Sequence, residues 1–446
     1  MRLIFCIIST LLVVLNLNAP PITSDASSLL LIIEHFCVIL IAKKLINNQL
    51  SGCYTCYRRR YFTNFLISYS VSLILLYLYW TPYMKESWAT NMDTFDPVKY
   101  YAIASEIVQG EMNTAIIAYP VSWIYVVVFS VLGRDPLIPL YLNSIAVLYA
   151  VLIIAKSINS DNKKHVKYFS LLLLIPEVIY YNMMSAKDTI CMICSVIIFV
   201  ITQRFIDKKY CISDIFIVII AFIAMVLART SMSFIAILGV IIGLLFSGNL
   251  SRKKILVFLF FGCIVGMALG ITIGLGAHES TFNLQERIEG EMSGDMSYAS
   301  TLEDQSKDSF IKYLIPSNPL EFVVYGIVRS FCYVIIDPGM ITNPLAKFAF
   351  DGSFKCPIMH NSTTVLMFIF LPFVFFQLSV WKKRNTEFKR LFIITLLYFL
   401  VVGMFNPLML HIRYRVVYDL LFFSLAFKSF LLYRKKGNKR EIRDKK

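Results

Sequence analysis

Charged residues are scarce in this chain, making up 16% of its 446 residues, whereas soluble domains carry roughly 25%. Hydrophobic residues make up 58%, which is more apolar surface than a soluble protein of this length can bury. The sequence also lacks a Walker motif, a Rossmann glycine fingerprint and a Gly-x-Ser-x-Gly motif. These absences disfavour an ATP-driven pump and a cytoplasmic nucleotide-sugar enzyme.

A disulfide framework is also absent, because the ten cysteines are spread along the whole chain. Cys53 and Cys56 have the spacing of a zinc-binding pair, but no second pair and no nearby histidine complete a zinc site. Cys332 and Cys356 both fall on the predicted outer side. The sequence leaves two alternatives there, a disulfide between them or two free thiols. The sequence therefore predicts neither a metal nor a cofactor.

Long apolar runs dominate what is present. Segments 62–78, 234–246, 255–273 and 365–380 are close to the roughly 20 residues that cross a bilayer as a helix. We therefore predict an all-α, polytopic integral membrane protein with about twelve spans in one domain, 1–446.

The basic residues orient these spans. The chain's net charge of +15 would suggest a nucleic-acid partner in a soluble protein, but the positive-inside rule explains it better. The clusters that we place in the cytoplasm are 43–60, 156–167, 204–209, 252–254, 382–390 and the tail 434–446. Both termini are then cytoplasmic, membrane lipids surround the chain, and no nucleic acid is expected.

This orientation predicts a path of twelve helices, two outer loops and two segments that enter the membrane without crossing it. The helices are predicted at about 3–18, 27–42, 61–81, 137–155, 168–184, 189–204, 212–227, 232–247, 255–275, 363–381, 390–405 and 413–432. The outer loops are 83–118 and 276–361. The apolar stretches 119–132 and 322–336 are predicted to be re-entrant or interfacial, because counting them as spans would invert the charge pattern.

Seven ionisable residues collect on the predicted outer side. Asp93 and Asp96 follow the third helix, and a carboxylate there could accept a proton from a sugar hydroxyl. The alternative is a helix cap, since Asp before Pro often begins a helix. Lys187 and Asp188 lie at the tip of a helical hairpin, where Lys187 needs either an anionic ligand or a salt-bridge partner.

Three arginines complete this group. Arg229 separates two apolar helices, and a guanidinium at such depth binds phosphate oxygens or forms an ion pair. Arg413 and Arg415 open the last helix, and both can face one ligand only if the backbone there is extended. Snorkelling to lipid headgroups is the alternative for each. His278 and His360 are weaker candidates.

Four short motifs stand out along the chain: Asp-Pro-x-x-Tyr-Tyr at 96–101, Tyr-Pro at 119–120, Ser-Ala-Lys-Asp at 185–188 and Arg-Tyr-Arg at 413–415. Together they resemble motifs of bacterial O-antigen polymerases of the Wzy type. The chain is more distantly similar to GT-C glycosyltransferases, which use polyprenyl-linked sugars. The spacing from Arg229 to Gly239 departs from the Arg–Gly pattern of the polymerases.

The resemblance implies polymerisation of undecaprenyl-pyrophosphate-linked repeat units at the periplasmic face of a Gram-negative inner membrane. It implies that Asp93 or Asp96 activates the acceptor hydroxyl. Lys187, Asp188 and Arg229, with Arg413 or Arg415, would form the pyrophosphate site. A chain-length regulator protein would be a partner.

Two alternatives stay open at this point. A GT-C enzyme that adds one sugar from a polyprenyl phosphate would use the same residue types. A flippase for lipid-linked glycans belongs to a different class, since transporters usually carry repeats and place ionisable residues near mid-span.

Overall fold

The computed structural model describes most of the two ends of the chain. The described ranges are 2–18, 27–82, 96–111, 114–116, 119–159, 163–229, 357–384, 386–405 and 411–444, with scattered residues between 232 and 328. Almost all of these residues are helical, and none of them forms a strand. The predicted all-α class is therefore confirmed for this part of the chain.

Twelve α-helices are described, in two groups along the chain. They are α1 Arg2–Asn18, α2 Ser28–Gln49, α3 Thr55–Leu75, α4 Asp96–Val108, α5 Ser122–Leu132, α6 Leu137–Ile158, α7 Pro176–Asn182, α8 Lys187–Ile206, α9 Ile212–Ala228, α10 Pro357–Leu378, α11 Thr386–Phe405 and α12 His411–Asp444. A π-helical turn, Leu76–Trp80, continues α3, and a 3-10 helix, Lys163–Leu174, precedes α7.

Within the described ranges, five helical segments are long and apolar enough to cross a membrane. They are Thr55–Trp80, Leu137–Ile158, Lys187–Ile206, Ile358–Leu378 and Arg415–Arg434. This is consistent with a membrane protein. The count of twelve spans stays a prediction, and the predicted helices at 232–247 and 255–275 lie largely or wholly outside the described residues.

Local sequence explains where several helices begin and end. α5 ends at Gly133, whose φ of 85° lies in the left-handed region that glycine adopts without strain. α6 begins directly afterwards, where the Asp135 side chain accepts a hydrogen bond from the backbone N–H of Leu137 at 2.8 Å. The 11 residues of α5 span about 16 Å, roughly half the hydrocarbon thickness.

The predicted fifth helix, 168–184, is broken in the structure. A 3-10 helix runs to Leu174, and Pro176 then begins the short helix α7 as its first residue. Proline has no backbone N–H and cannot continue the preceding helical hydrogen bonds, which is why the break falls there. Glu177, the second residue of α7, is thereby placed inside the bundle.

α8 is the central helix of the described bundle. It packs against α6, α7, α9 and α12, and 83% of its most apolar 18-residue window is buried within the protein. The buried share of the corresponding window in α10 is 28%, so α10 lies at the edge of the described bundle. The charged residues described below lie where α4, α8, α10 and α12 begin and where α9 ends.

Candidate functional site

The first group of charges joins α4, α8 and the end of α9, and we call it the Lys187 cluster. Lys187 Nζ lies 3.2 Å from Asp96 Oδ2, with side chains that are 23% and 30% exposed. The hydroxyl of Ser185 donates to the carbonyl of Pro97 at 2.6 Å. The turn before α8 is therefore fastened to the first turn of α4, and both ionic side chains remain partly open.

Asp188 and Arg229 form the buried half of the Lys187 cluster. Arg229 Nη2 lies 3.0 Å from Asp188 Oδ1, and the two side chains are 9% and 0% exposed. Arg229 immediately follows α9 in an extended conformation, which directs the chain away from the helix. Asp188 lies in the first turn of α8, where the helix dipole favours a negative charge.

The formal charges of these four side chains cancel. Lys187 also lies 5.6 Å from the ring centroid of Tyr100, a separation that supports a cation–π contact. Lys187 and Asp96 are therefore the more accessible ionic groups of this cluster. The Asp188–Arg229 pair is more buried and links the start of α8 to the end of α9.

The second group is largely buried and centres on Glu177, and we call it the Glu177 cluster. Arg415 directs both Nε and Nη2 at Glu177 Oε2, at 3.0 and 2.6 Å. Its Nη1 donates to Thr364 Oγ1 at 2.6 Å, and Nη2 also donates to the carbonyl of His360. The guanidinium thus ties α7, α10 and α12 together at one point.

His360 and Asp419 complete the Glu177 cluster. His360 Nδ1 lies 2.7 Å from Glu177 Oε1, so each carboxylate oxygen of Glu177 contacts a different basic group. Asp419 Oδ1 lies 3.9 Å from Arg415 Nε, one helical turn along α12. Glu177, Arg415 and Asp419 are 0% exposed, whereas the His360 side chain is 13% exposed.

The structure separates the predicted site residues into these two groups. It brings Asp96, Lys187, Asp188 and Arg229 together, while Arg415 belongs to the Glu177 cluster. Asp93 lies outside the described residues, and Arg413 is described by its backbone alone.

The extended backbone that would let Arg413 and Arg415 face one ligand does not occur. α12 begins at His411, so both arginines are helical, and residues two apart on a helix diverge by roughly 200°. Arg415 turns inward to Glu177, and the two arginines cannot share one ligand in this arrangement.

The site residues predicted from the sequence do not include Glu177, Thr364 or Asp419, and they include His360 only as a weaker candidate. Glu177 does carry a signal, because a carboxylate directly after a proline in the run 171–179 is costly unless it has a partner. Asp419 carries the same signal inside the last apolar helix. Neither signal identifies the partner. For Glu177 the partners are supplied from more than 180 residues away.

No group of three or more His, Cys, Asp or Glu side chains that could hold a metal ion occurs in the described ranges. No protein-family model matches the sequence, and no curated protein matches it at a significant level. The class is therefore defined by the structure alone. Over the residues that the structure describes, it is a helical protein with five potential membrane spans and two ionic clusters where several helices begin.

Proposed function

We propose that the protein is a membrane glycosyltransferase that polymerises glycan repeat units carried on undecaprenyl pyrophosphate. The observation that supports this most directly is the Lys187 cluster. Four charged side chains from three separate elements converge at one end of an apolar bundle, and Lys187 and Asp96 remain partly exposed. Such an arrangement suits a substrate whose charged headgroup lies at the membrane surface and whose tail lies in the lipid.

The chemistry requires a site for the leaving pyrophosphate. As the anomeric carbon–oxygen bond breaks, negative charge grows on the pyrophosphate, and fixed cations stabilise it. Lys187 is the accessible cation, released from Asp96 when the substrate binds. Arg229 is paired with Asp188, the residue that follows Lys187, and supplies a second positive charge. Pyrophosphate is a good leaving group, so no nucleotide is needed.

Arg415 has a different role in this proposal. Its guanidinium is 0% exposed and already contacts Glu177, Thr364 and His360. Moving it to a phosphate would leave a buried carboxylate without its partner, at a cost of several kcal/mol. We therefore assign direct contact with the pyrophosphate to Lys187. Arg229 acts on the pyrophosphate through its charge while it stays on Asp188, which is also buried, and Arg415 holds Glu177 in place.

A flippase for lipid-linked glycans is the second candidate, and the break at Pro176 favours it. Transporters often place their binding sites at discontinuous helices, and α7 is a short helix that begins next to a buried carboxylate. A GT-C enzyme that adds a single sugar is distinguished from a polymerase by product length alone.

The first experiment deletes the gene in its host and compares the surface polysaccharide on a gel, with and without a plasmid copy. A polymerase predicts that the ladder collapses to a single repeat unit and returns with the plasmid. An unchanged ladder with altered mobility would indicate a single-sugar transferase. Complete loss of polysaccharide, with lipid-linked units retained on the cytoplasmic side, would indicate the flippase.

Arg229→Lys tests the Lys187 cluster within the same assay. We expect loss of long chains, with single units retained, because an ammonium group does not reproduce the forked geometry of a guanidinium. The control is Arg204→Lys near the other end of α8, where Arg204 pairs with Asp214 of α9 at 2.6 Å, away from the Lys187 cluster. A normal ladder from Arg229→Lys would contradict the assignment of Arg229 to the donor site.

A further inference from the structure

We propose that His360 is the base that takes the proton from the acceptor sugar hydroxyl, and that Glu177 is its positioning residue. This inference rests on the proposed function and concerns the step that the sequence assigned to Asp93 or Asp96. The carboxylate of Asp96 is already countered by Lys187. The described bundle offers a better placed base on α10.

The contact with Glu177 fixes which ring nitrogen of His360 carries the proton. An ionised carboxylate only accepts hydrogen bonds, so Nδ1, 2.7 Å from Glu177 Oε1, must be the donor. In the neutral ring the lone pair then lies on Nε2. Nε2 makes no hydrogen bond to any residue that the structure describes.

The carboxylate of Glu177 contacts the imidazole at Nδ1, 2.7 Å from Oε1, which leaves Nε2 on the other side of the ring. An imidazolium formed during the reaction would stay in direct contact with that carboxylate. A buried carboxylate placed in this way both orients a histidine and stabilises the cation that forms on it.

Tyr180 and Tyr181 hold the imidazole between them. Their ring centroids lie 5.1 and 5.7 Å from that of His360, both in edge contacts. α7 therefore supplies both the carboxylate and the two aromatic walls. The ring is 13% exposed while Glu177 is 0% exposed, so the imidazole is the part of this pair that substrate can reach.

His360 also lies close in the fold to the Lys187 cluster. The hydroxyl of Thr189, two residues after Lys187, donates to the carbonyl of Tyr181 at 2.9 Å. The end of α7 is thereby fixed against the first turn of α8. An acceptor sugar beside His360 and a donor pyrophosphate at Lys187 would meet across this junction.

The reaction step balances without a metal or a co-substrate. The acceptor oxygen forms a bond to the anomeric carbon of the donor, and the bond from that carbon to the pyrophosphate oxygen breaks with its electron pair. The hydroxyl proton passes to His360 Nε2. Polyprenyl pyrophosphate leaves as an anion, and the imidazolium then loses its proton to water.

The test uses the full-length protein in liposomes, with lipid-linked repeat units extracted from the deletion strain as substrate. We expect His360→Ala to slow polymerisation by about 100-fold or more, the usual contribution of a general base. Added imidazole should restore part of that rate, because it can occupy the space of the missing ring. His360→Gln should stay inactive, although its amide can still donate to Glu177.

His35 provides the matched control. It is also buried, but both of its ring nitrogens are engaged, with Tyr69 at 3.0 Å and with Thr10 at 3.1 Å. His35→Ala should show no response to imidazole. An active His360→Gln, or a His360→Ala protein at the wild-type rate, would overturn the role of His360 and leave the proposed function intact. Failure of the wild-type protein to lengthen chains would overturn both.

Discussion

At the residue scale, the decisive feature is a set of charges that the fold has removed from solvent. Glu177, Arg415 and Asp419 are 0% exposed, and each would be costly to bury alone. Their mutual contacts offset that cost without exceeding it by much, because ion pairs in a protein interior roughly repay their own desolvation. The Glu177 cluster therefore fixes the relative positions of α7, α10 and α12 more than it stabilises the fold. It is sensitive to the loss of any one of its members.

Arg415→Met should destabilise the protein by about 3–5 kcal/mol, because it leaves buried carboxylates without a cation. The thermal unfolding midpoint in detergent measures this, and adding Glu177→Gln should recover part of the loss. The comparison is Arg204→Met, where the arginine is 29% exposed and Asp214 keeps a hydrogen bond from the backbone N–H of Cys211. A cost below about 1 kcal/mol is expected there.

The sequence identified the charged residues of the site better than it identified their partners. Lys187, Asp188 and Arg229 stand out because isolated charges between apolar helices need compensation, and the structure pairs each of them. Arg415 stands out for the same reason, but its partner Glu177 lies 238 positions away in the chain. Pairing at that separation depends on how helices pack, which no local pattern specifies.

At the element scale, α7 supplies the surroundings of His360 although it is only seven residues long. Its first turn supplies Glu177, and its last turn supplies Tyr180 and Tyr181 beside His360. Hydrophobicity alone predicts one continuous helix over the apolar run 168–184. Pro176 was the available signal for the break, and it also explains why Glu177 enters the interior at a helix start.

Thr363 fastens α10 to α7. The backbone N–H of Glu177 donates to Thr363 Oγ1 at 3.0 Å, which satisfies a donor that the start of α7 would otherwise leave buried. Thr363→Val should therefore cost about 1–3 kcal/mol, the penalty of an unsatisfied buried donor. The thermal unfolding midpoint in detergent is the measurement.

Thr395→Val is the matched control for that change. Thr395 is also buried, but its hydroxyl donates only to the Leu391 carbonyl within α11, at 2.7 Å. Because that bond is internal to one helix, its loss should shift the midpoint little. Equal shifts for the two variants would show that the contact between α10 and α7 does not contribute to stability.

At the scale of the whole molecule, we predict the orientation in the membrane from charge rather than from packing. The basic clusters lie near helix ends that the positive-inside rule would place in the cytoplasm. α12 continues through the basic tail to Asp444, well beyond the predicted end at 432. This length does not alter the predicted side of the C-terminus, because the added turns are polar.

Two exposed free thiols allow that orientation to be tested. Cys56 and Cys211 both lie in segments placed in the cytoplasm, next to Arg58 and to Lys209. In variants that keep only one of these cysteines, a membrane-impermeant maleimide should react in lysed spheroplasts and not in intact ones. Ser293→Cys, in the predicted outer loop 276–361, should react in both.

Labelling of Cys211 in intact spheroplasts would place the start of α9 outside. The end of α9 and the Lys187 cluster would then face the cytoplasm, where a periplasmic polymerase could not use them.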